Sequence, residues 1–147
     1  MLRIGTDEDR MGLVLDSSVV IAAERQREPA EQLLRRVISL SGDQQVVLSA
    51  VGLTELALAI YRASNPVQRQ NHQRFLDDLL LGVEVISYTQ STALLAGKID
   101  GEQRAQGVTI PFADLMIGVT ALEYGFAVTT ANLRHFRLIP GLSVVSI

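Results

Sequence analysis

The sequence predicts an α/β fold with three layers, in which helices cover both faces of a central, mainly parallel sheet of about five strands. Short aliphatic runs alternate along the chain with longer segments whose apolar residues recur at helical spacing. Strands that are separated by helices are usually parallel, and a parallel sheet is buried on both faces. This alternation continues through residues 13–147 without an internal repeat or a linker, which indicates a single domain.

The first predicted strand is the run Leu13–Leu15, which ends at an acidic residue, Asp16. Two serines follow, and the apolar run Val19–Ala23 then predicts a short helix. Asp16 is therefore expected at the carboxyl end of a strand, the edge at which parallel α/β sheets bind ligands. A second interpretation fits the position equally well, because a short polar residue here can cap the helix. Either Ser17 or Ser18 could provide that cap instead.

The remaining elements are predicted from apolar periodicity and from glycine and proline residues. Helices are expected at Pro29–Ser41, Val51–Ala63, Val67–Leu81, Thr89–Gln106 and Thr109–Gly125, and strands at Gln45–Ser49, Val83–Ile86, Phe126–Thr129 and Leu142–Val145. Residues 1–12 are polar and charged, and we expect them to form a flexible extension.

Composition excludes several classes of protein. The chain has no cysteine, which rules out zinc-thiolate sites, iron–sulfur clusters and a thiol nucleophile and fits a reducing compartment. Its apolar runs end well short of the roughly 20 residues that a membrane span requires, and the N-terminus has no signal-peptide pattern. We therefore expect a cytoplasmic protein with no membrane contact.

Charge gives a weaker indication about partners. The net charge of −3 argues against binding nucleic acid by bulk electrostatic attraction. All but one of the 13 basic residues are arginine, however, and the planar guanidinium group suits phosphate contacts. Any contact with nucleic acid is therefore expected to depend on local arginines.

Four polar residues near strand ends or helix starts are candidate site residues: Asp16, Glu55, Asp114 and Asn132. Each has another explanation when it is taken alone. Glu55 can lie on the solvent face of its apolar helix, Asp114 can stabilise a first helical turn through the helix dipole, and Asn132 can be a turn residue. Two small residues, Gly118 and Ala121, follow Asp114 one and two turns further on, so this helix face is expected to pack against the sheet and carry Asp114 to the strand ends.

Taken together, the three acids predict a metal site. Carboxylates in one crevice repel one another, so at least one should have a raised pKa, and a hard divalent cation is the usual partner. Oxygen ligands without cysteine favour Mg²⁺ or Mn²⁺. His72 and His135 are not placed as a zinc pair, and His135 is expected to be a surface or structural residue.

The order and spacing of several motifs resemble a PIN domain and, within that superfamily, VapC-type toxins of toxin–antitoxin pairs. The motifs are Val14–Ser18, Ser49–Leu56, Ile110–Ile117, Val128–Phe136 and Ile139–Leu142. The resemblance covers Leu13 to the C-terminus. It implies a three-layer PIN-like fold and a metal-dependent endoribonuclease, which acts on RNA as a homodimer and is silenced by a VapB-like antitoxin.

The resemblance also implies roles for individual residues. Asp16, Glu55 and Asp114 would be the catalytic, metal-binding acids. Asn132 would be a further metal-site residue, since it falls where many relatives place a fourth acid and others an asparagine. Ser17, Arg104 and Arg134 are the candidate contacts to RNA. An alternative stays open, because an asparagine at position 132 also permits a PIN fold that serves as an RNA-binding or assembly module with a weakened metal site.

Overall fold

The structure, a computed structural model, describes residues 12–42 and 44–147. The strands are β1 (Gly12–Leu15), β2 (Gln45–Ser49), β3 (Glu84–Ile86), β4 (Ala127–Thr130) and β5 (Val144–Ser146). The helices are α1 (Ser17–Arg25), α2 (Ala30–Ser41), α3 (Ala50–Arg62), α4 (Pro66–Gly82), α5 (Gln90–Ala105), α6 (Phe112–Tyr124) and α7 (Leu133–Phe136). The first strand begins at Gly12, the last residue of the predicted extension, and residues 1–11 of that extension lie outside the described residues.

The five strands form one sheet in the order β3-β2-β1-β4-β5, and each neighbouring pair is parallel. This confirms the predicted α/β class and parallel sheet. The strand β1 is central, with Leu13 beside Val46 of β2 and Ala127 of β4. Because all five strands run the same way, their carboxyl ends share one edge, and Asp16 lies in the middle of that edge.

Two hydrophobic clusters cover the two faces of the sheet and produce the three layers. Side chains alternate along β1, so Leu13 and Leu15 join a cluster with α1 to α4, whereas Val14 joins a cluster with α5 and α6. Val14 and Ile117 are both 0% exposed. Burial of one such side chain contributes about 1.5–3 kcal/mol relative to an exposed position, so the central strand is firmly held from both sides.

Helix α6 begins later than the sequence predicted. It starts at Phe112 with Pro111 in the extended cap position, whereas the predicted start was Thr109. A residue that precedes proline is sterically disfavoured in the helical conformation, which keeps Ile110 out of the helix. Ile110 is instead buried, at 2% exposure, and anchors the start of α6 in the core.

The helix face that carries Gly118 and Ala121 was predicted to pack against the sheet. Ala121 does so, in one cluster with Val14 of β1, whereas Gly118 packs against the C-terminal segment. A Cβ atom at this position would overlap the side chain of Ile139 and lie 3.1 Å from that of Leu142. Gly118 therefore lets α6 approach the C-terminal segment, and the contact with the sheet comes from its apolar neighbours. None of the helices among the described residues has the length and hydrophobicity to cross a membrane.

Helix α7 was not predicted, and β5 begins two residues later than expected. A four-residue helix is about one turn, too short to show a period in the sequence. It is nevertheless firmly placed, since Phe136 is 0% exposed in the cluster below α6. This turn places His135, which follows β4 in the chain, next to Asp114 at the start of α6.

Candidate active site

The carboxylate of Asp16 is held by two hydroxyl groups at the end of the central strand. Ser18 Oγ donates a hydrogen bond to Oδ2 at 2.6 Å, and Thr130 Oγ1 donates to the same oxygen at 2.9 Å. Asp16 occupies the cap position of α1, but its side chain makes no capping hydrogen bond with the described backbone. With 3% exposure, this side chain is a fixed carboxylate at the strand edge, and the capping interpretation is excluded.

Glu55 faces Asp16 from helix α3. Ser17 Oγ donates a hydrogen bond to Oε1 of Glu55 at 2.8 Å, which links the first turn of α1 to the middle of α3. Ser17 was predicted to contact RNA, and in the structure it is buried at 7% exposure with its hydroxyl on Glu55. Glu55 is only half-buried, so its carboxylate borders on solvent.

Asp114 reaches the same edge from the first turn of α6 and contacts a histidine. Nδ1 of His135 lies 2.7 Å from Asp114 Oδ2 and 2.8 Å from Nδ2 of Asn132. His135 was expected to be a surface or structural residue, and the structure places it in contact with an acid of the site. The backbone N–H of Asn132 donates to Thr130 Oγ1 at 2.8 Å.

These contacts form one continuous chain across the strand edge. It runs through Asp16, Thr130, Asn132, His135 and Asp114. The two aspartates are 98 positions apart in the chain, and they are joined here through residues at the end of β4 and in α7. The sheet edge therefore brings the four predicted site residues together as the strand order requires.

Burial raises the pKa values of both Glu55 and Asp114 above the ordinary carboxyl range. For Glu55 burial is the largest cause, the hydrogen bond from Ser17 opposes it, and the nearby charges of Asp16 and Asp114 add to the rise in pKa. For Asp114 burial is again the largest cause, and the hydrogen bond from His135 opposes it. The predicted mutual repulsion is therefore present, but desolvation contributes more to both pKa shifts.

The donor atoms of this site fit a hard divalent cation in kind, since three carboxylates that repel one another supply the oxygen ligands that Mg²⁺ and Mn²⁺ take. Hydrogen bonds from described residues fall on one oxygen of each acid, which leaves the second oxygen for other partners. Yet within residues 12–42 and 44–147 no three histidine or acidic side chains are arranged to hold an ion as they stand. The chemistry of the ligands fits, and closing a metal site requires side-chain movement.

An open cleft of 440 Å³ lies beside Glu55. Its lining includes Ser17 and Glu55, together with Leu58, Arg62 and His72 from α3 and α4. Arg62 is exposed and forms no ion pair with another residue in the described part of the chain. A guanidinium group is thus available next to one of the acids.

The two arginines predicted to contact RNA differ in their surroundings. Arg104 lies near the end of α5, and its Nε donates to Oδ2 of Asp100 at 2.9 Å. Arg134 lies on α7, adjacent in sequence to His135, and is exposed. Arg134 therefore lies next to a residue that contacts Asp114, and among the described residues it has no ion pair with an acidic neighbour.

Three contributors to the site were not predicted: Ser18, Thr130 and His135. Ser18 lies in the first turn of α1, two positions after Asp16, and Thr130 is the last residue of the neighbouring strand β4. The nearness of Ser18 to Asp16 can be read from the sequence, whereas the contact of Thr130 with Asp16 spans 114 positions. His135 follows Asn132 by three positions, which would have placed both on one helical face if α7 had been recognised.

Known proteins match this chain over most of its length. The sequence matches the PIN domain family over residues 13–142. Ribonuclease VapC1 of Rickettsia felis is 27% identical over 93% of this chain and 97% of that protein. The tRNA(fMet)-specific endonuclease VapC of Salmonella typhimurium is 29% identical over 68% of this chain and 74% of that protein.

Among solved structures, VapBC2 from Rickettsia felis bound to a DNA fragment is similar with a TM-score of 0.81 and 21% identity. The similarity covers 93% of this chain and 99% of the solved chain, and at this identity it supports the fold. The sequence motifs, the parallel sheet with acids at its carboxyl edge and the match over residues 13–142 agree with one another, and the chain belongs to the PIN domain family.

Proposed function

We propose that this protein is a metal-dependent endoribonuclease that hydrolyses RNA phosphodiester bonds as the toxin of a toxin–antitoxin pair. The observation that carries the proposal is the convergence of Asp16, Glu55 and Asp114 at one sheet edge, where their charges interact. The similarity to proteins named ribonuclease and tRNA(fMet)-specific endonuclease supports RNA as the substrate class.

In this proposal Asp16, Glu55 and Asp114 hold Mg²⁺ or Mn²⁺. When bound, the ion would supply Lewis-acid polarisation of the phosphate and a more acidic water. The buried Asp16 gives the site a fixed carboxylate, because two hydroxyl groups hold its Oδ2. Glu55 and Asp114 border on solvent with raised pKa values, which suits groups that exchange a proton with water.

Binding of RNA in this proposal depends on a few arginines, since the net charge of −3 gives no general attraction. Arg62 beside Glu55 and Arg134 beside His135 flank the acids on two sides. Arg104 is bonded to Asp100, but an exposed ion pair of this kind contributes only about 0.3–0.5 kcal/mol and is easily exchanged for a phosphate. We expect alanine at position 62 or 134 to raise the KM for RNA more than alanine at position 104.

The proposed partner is a VapB-like antitoxin, which would present a basic side chain to the acids and so compete with metal and RNA. Large exposed apolar side chains near the cleft support a protein-binding surface here. Tyr61 of α3 is 70% exposed, and Val67 of α4 is 67% exposed. A homodimer and a cytoplasmic location belong to the same proposal.

The second candidate is a PIN-fold RNA-binding or assembly module without catalysis. It is favoured by the absence, among the described residues, of three or more acidic or histidine side chains already arranged to hold an ion. Incubation of total RNA with the purified protein separates the two functions. We expect cleavage with Mn²⁺ or Mg²⁺, none with EDTA, and none for Asp16→Asn. Cleavage that persists in EDTA would contradict the proposal, and RNA binding without cleavage would favour the module.

A further inference from the structure

One ring nitrogen of His135 has two hydrogen-bond partners, of which one is an acceptor and the other a donor. Nδ1 lies 2.7 Å from Asp114 Oδ2 and 2.8 Å from Asn132 Nδ2. An imidazole nitrogen carries either one hydrogen or one in-plane lone pair. With a hydrogen it donates to Asp114 but faces the amide donor, and with a lone pair it accepts from Asn132 but faces a carboxylate oxygen.

Turning the Asn132 amide by 180° removes the conflict. The oxygen and nitrogen of an asparagine amide are nearly identical in shape, so their positions are assigned from their hydrogen bonds. With Oδ1 in place of Nδ2, the Nδ1–H of His135 donates to both Asp114 and Asn132. This holds whether or not the other ring nitrogen also carries a hydrogen, so it does not depend on the charge of His135.

The turned amide has consequences for what Asn132 can bind. Its carbonyl oxygen accepts from His135, and a cation on the same oxygen would lie against the positive end of the Nδ1–H bond. Its NH₂ group is directed away from His135 and can only donate. The backbone of Asn132 is fixed independently, because its N–H donates to Thr130 Oγ1 at 2.8 Å.

We infer that Asn132 is not a metal ligand but a hydrogen-bond donor to a phosphate oxygen of RNA, and that His135 is the positioning residue that turns its NH₂ group outward. This inference rests on the proposed nuclease function for the identity of the ligand. In the resulting site, Asp16, Glu55 and Asp114 bind the metal ion, and Asn132 binds the RNA phosphate.

The arrangement at His135 can be measured without any activity. Nitrogen-15 NMR of the imidazole rings reports which nitrogen carries hydrogen, and the chain has only two histidines. His72→Gln removes the other signal and so assigns His135. We expect Nδ1 to carry hydrogen near neutral pH, and an unprotonated Nδ1 would overturn the inference.

The isosteric substitution Asn132→Asp tests the role of Asn132, because a phosphate donor and a metal ligand predict different results. If Asn132 donates to phosphate, Asn132→Asp loses the donor and repels RNA, so the KM for RNA should rise about tenfold or more while Mn²⁺ affinity measured by calorimetry changes little. If Asn132 were instead a metal ligand, the added carboxylate should tighten Mn²⁺ binding. Tighter Mn²⁺ binding with an unchanged KM would therefore overturn the inference.

The positioning role of His135 predicts a matched series. His135→Ala should raise the KM for RNA with little change in kcat, and His135→Gln should restore part of the loss because its amide N–H can donate from a similar place. Weaker Mn²⁺ binding in His135→Ala without a change in KM would contradict the role. If the wild type cleaves no RNA, the proposed function fails separately, and fluorescence anisotropy of labelled total tRNA with wild type and Asn132→Asp still decides whether Asn132 donates to RNA.

Discussion

The acid at the strand end and the acids on the helices are held in different ways. Asp16 is 3% exposed and receives two hydroxyl hydrogen bonds, whereas the Asp114 side chain is 16% exposed and Glu55 is half-buried. A buried carboxylate is tolerated only where donors replace water, and the ends of β1 and β4 provide them. The sheet thus supplies a rigidly held carboxylate, and the helices supply carboxylates with room to adjust.

The largest effect should come from removing either kind of acid. We expect Asp16→Asn and Asp114→Asn each to reduce RNA cleavage by about 10²-fold or more, because each removes a carboxylate that is proposed to hold the cation. Asparagine at position 16 can still accept from Ser18 and Thr130, so the fold should be retained. Circular dichroism and a gel assay of RNA cleavage check this, and a variant that loses activity only because it unfolds would contradict it.

A second effect should appear when metal is added. An ion that binds only the folded protein stabilises it by about 2.7 kcal/mol at 100 times its dissociation constant, or roughly 5–10 °C for a domain of this size. Thermal unfolding with increasing Mn²⁺ measures the shift. It should be larger at neutral than at acidic pH, because protons compete for the carboxylate oxygens.

The same titration distinguishes a common site from separate ones. If Asp16 and the helix acids bind one ion, the shift should shrink strongly in both Asp16→Asn and Asp114→Asn. An equal shift in wild type and Asp16→Asn would show that the rigid acid takes no part in the metal site.

Two adjacent serines offer a sharper comparison of the rigid and adjustable acids. Ser18→Ala removes a hydrogen bond to the buried carboxylate of Asp16, which should cost about 1.5–3 kcal/mol of unfolding free energy. Ser17→Ala removes the bond to the half-buried Glu55, where water can replace it, and should cost less. Urea unfolding of the two variants measures the difference, and equal losses would argue against a distinction between the acids.

The smallest effect should be the pH dependence of the metal-free protein. The pKa values of Glu55 and Asp114 are higher in the folded than in the unfolded state, so the folded protein binds more protons between the two values. Stability should therefore fall as pH rises through that interval and stay lower above the folded-state pKa values. Glu55→Gln and Asp114→Asn should each flatten this slope in urea unfolding at several pH values, and a slope unchanged in both would contradict it.

The fold was predictable because its signals are local. The apolar run of β1 and the helical spacing in α2 or α6 can each be read within a few residues, and strands separated by helices indicate a parallel sheet. The contacts of the site depend on residues distant in the chain. Thr130 lies 114 positions after Asp16, and His135 lies 21 after Asp114, so no spacing in the sequence indicates which hydroxyl or ring meets which acid.

The position of β1 between β2 and β4 has a consequence for synthesis on the ribosome. The backbone N–H of Asp16 donates to Thr129 of β4 at 3.0 Å, so the oldest strand is completed by one of the last to be made. A nascent chain that ends before β4 already contains all three acids, but neither Thr130 nor His135 is present to hold them. Non-local strand pairing forms late in folding, and Asp16 and Asp114 therefore cannot be joined through this chain of contacts until β4 and α7 have been made.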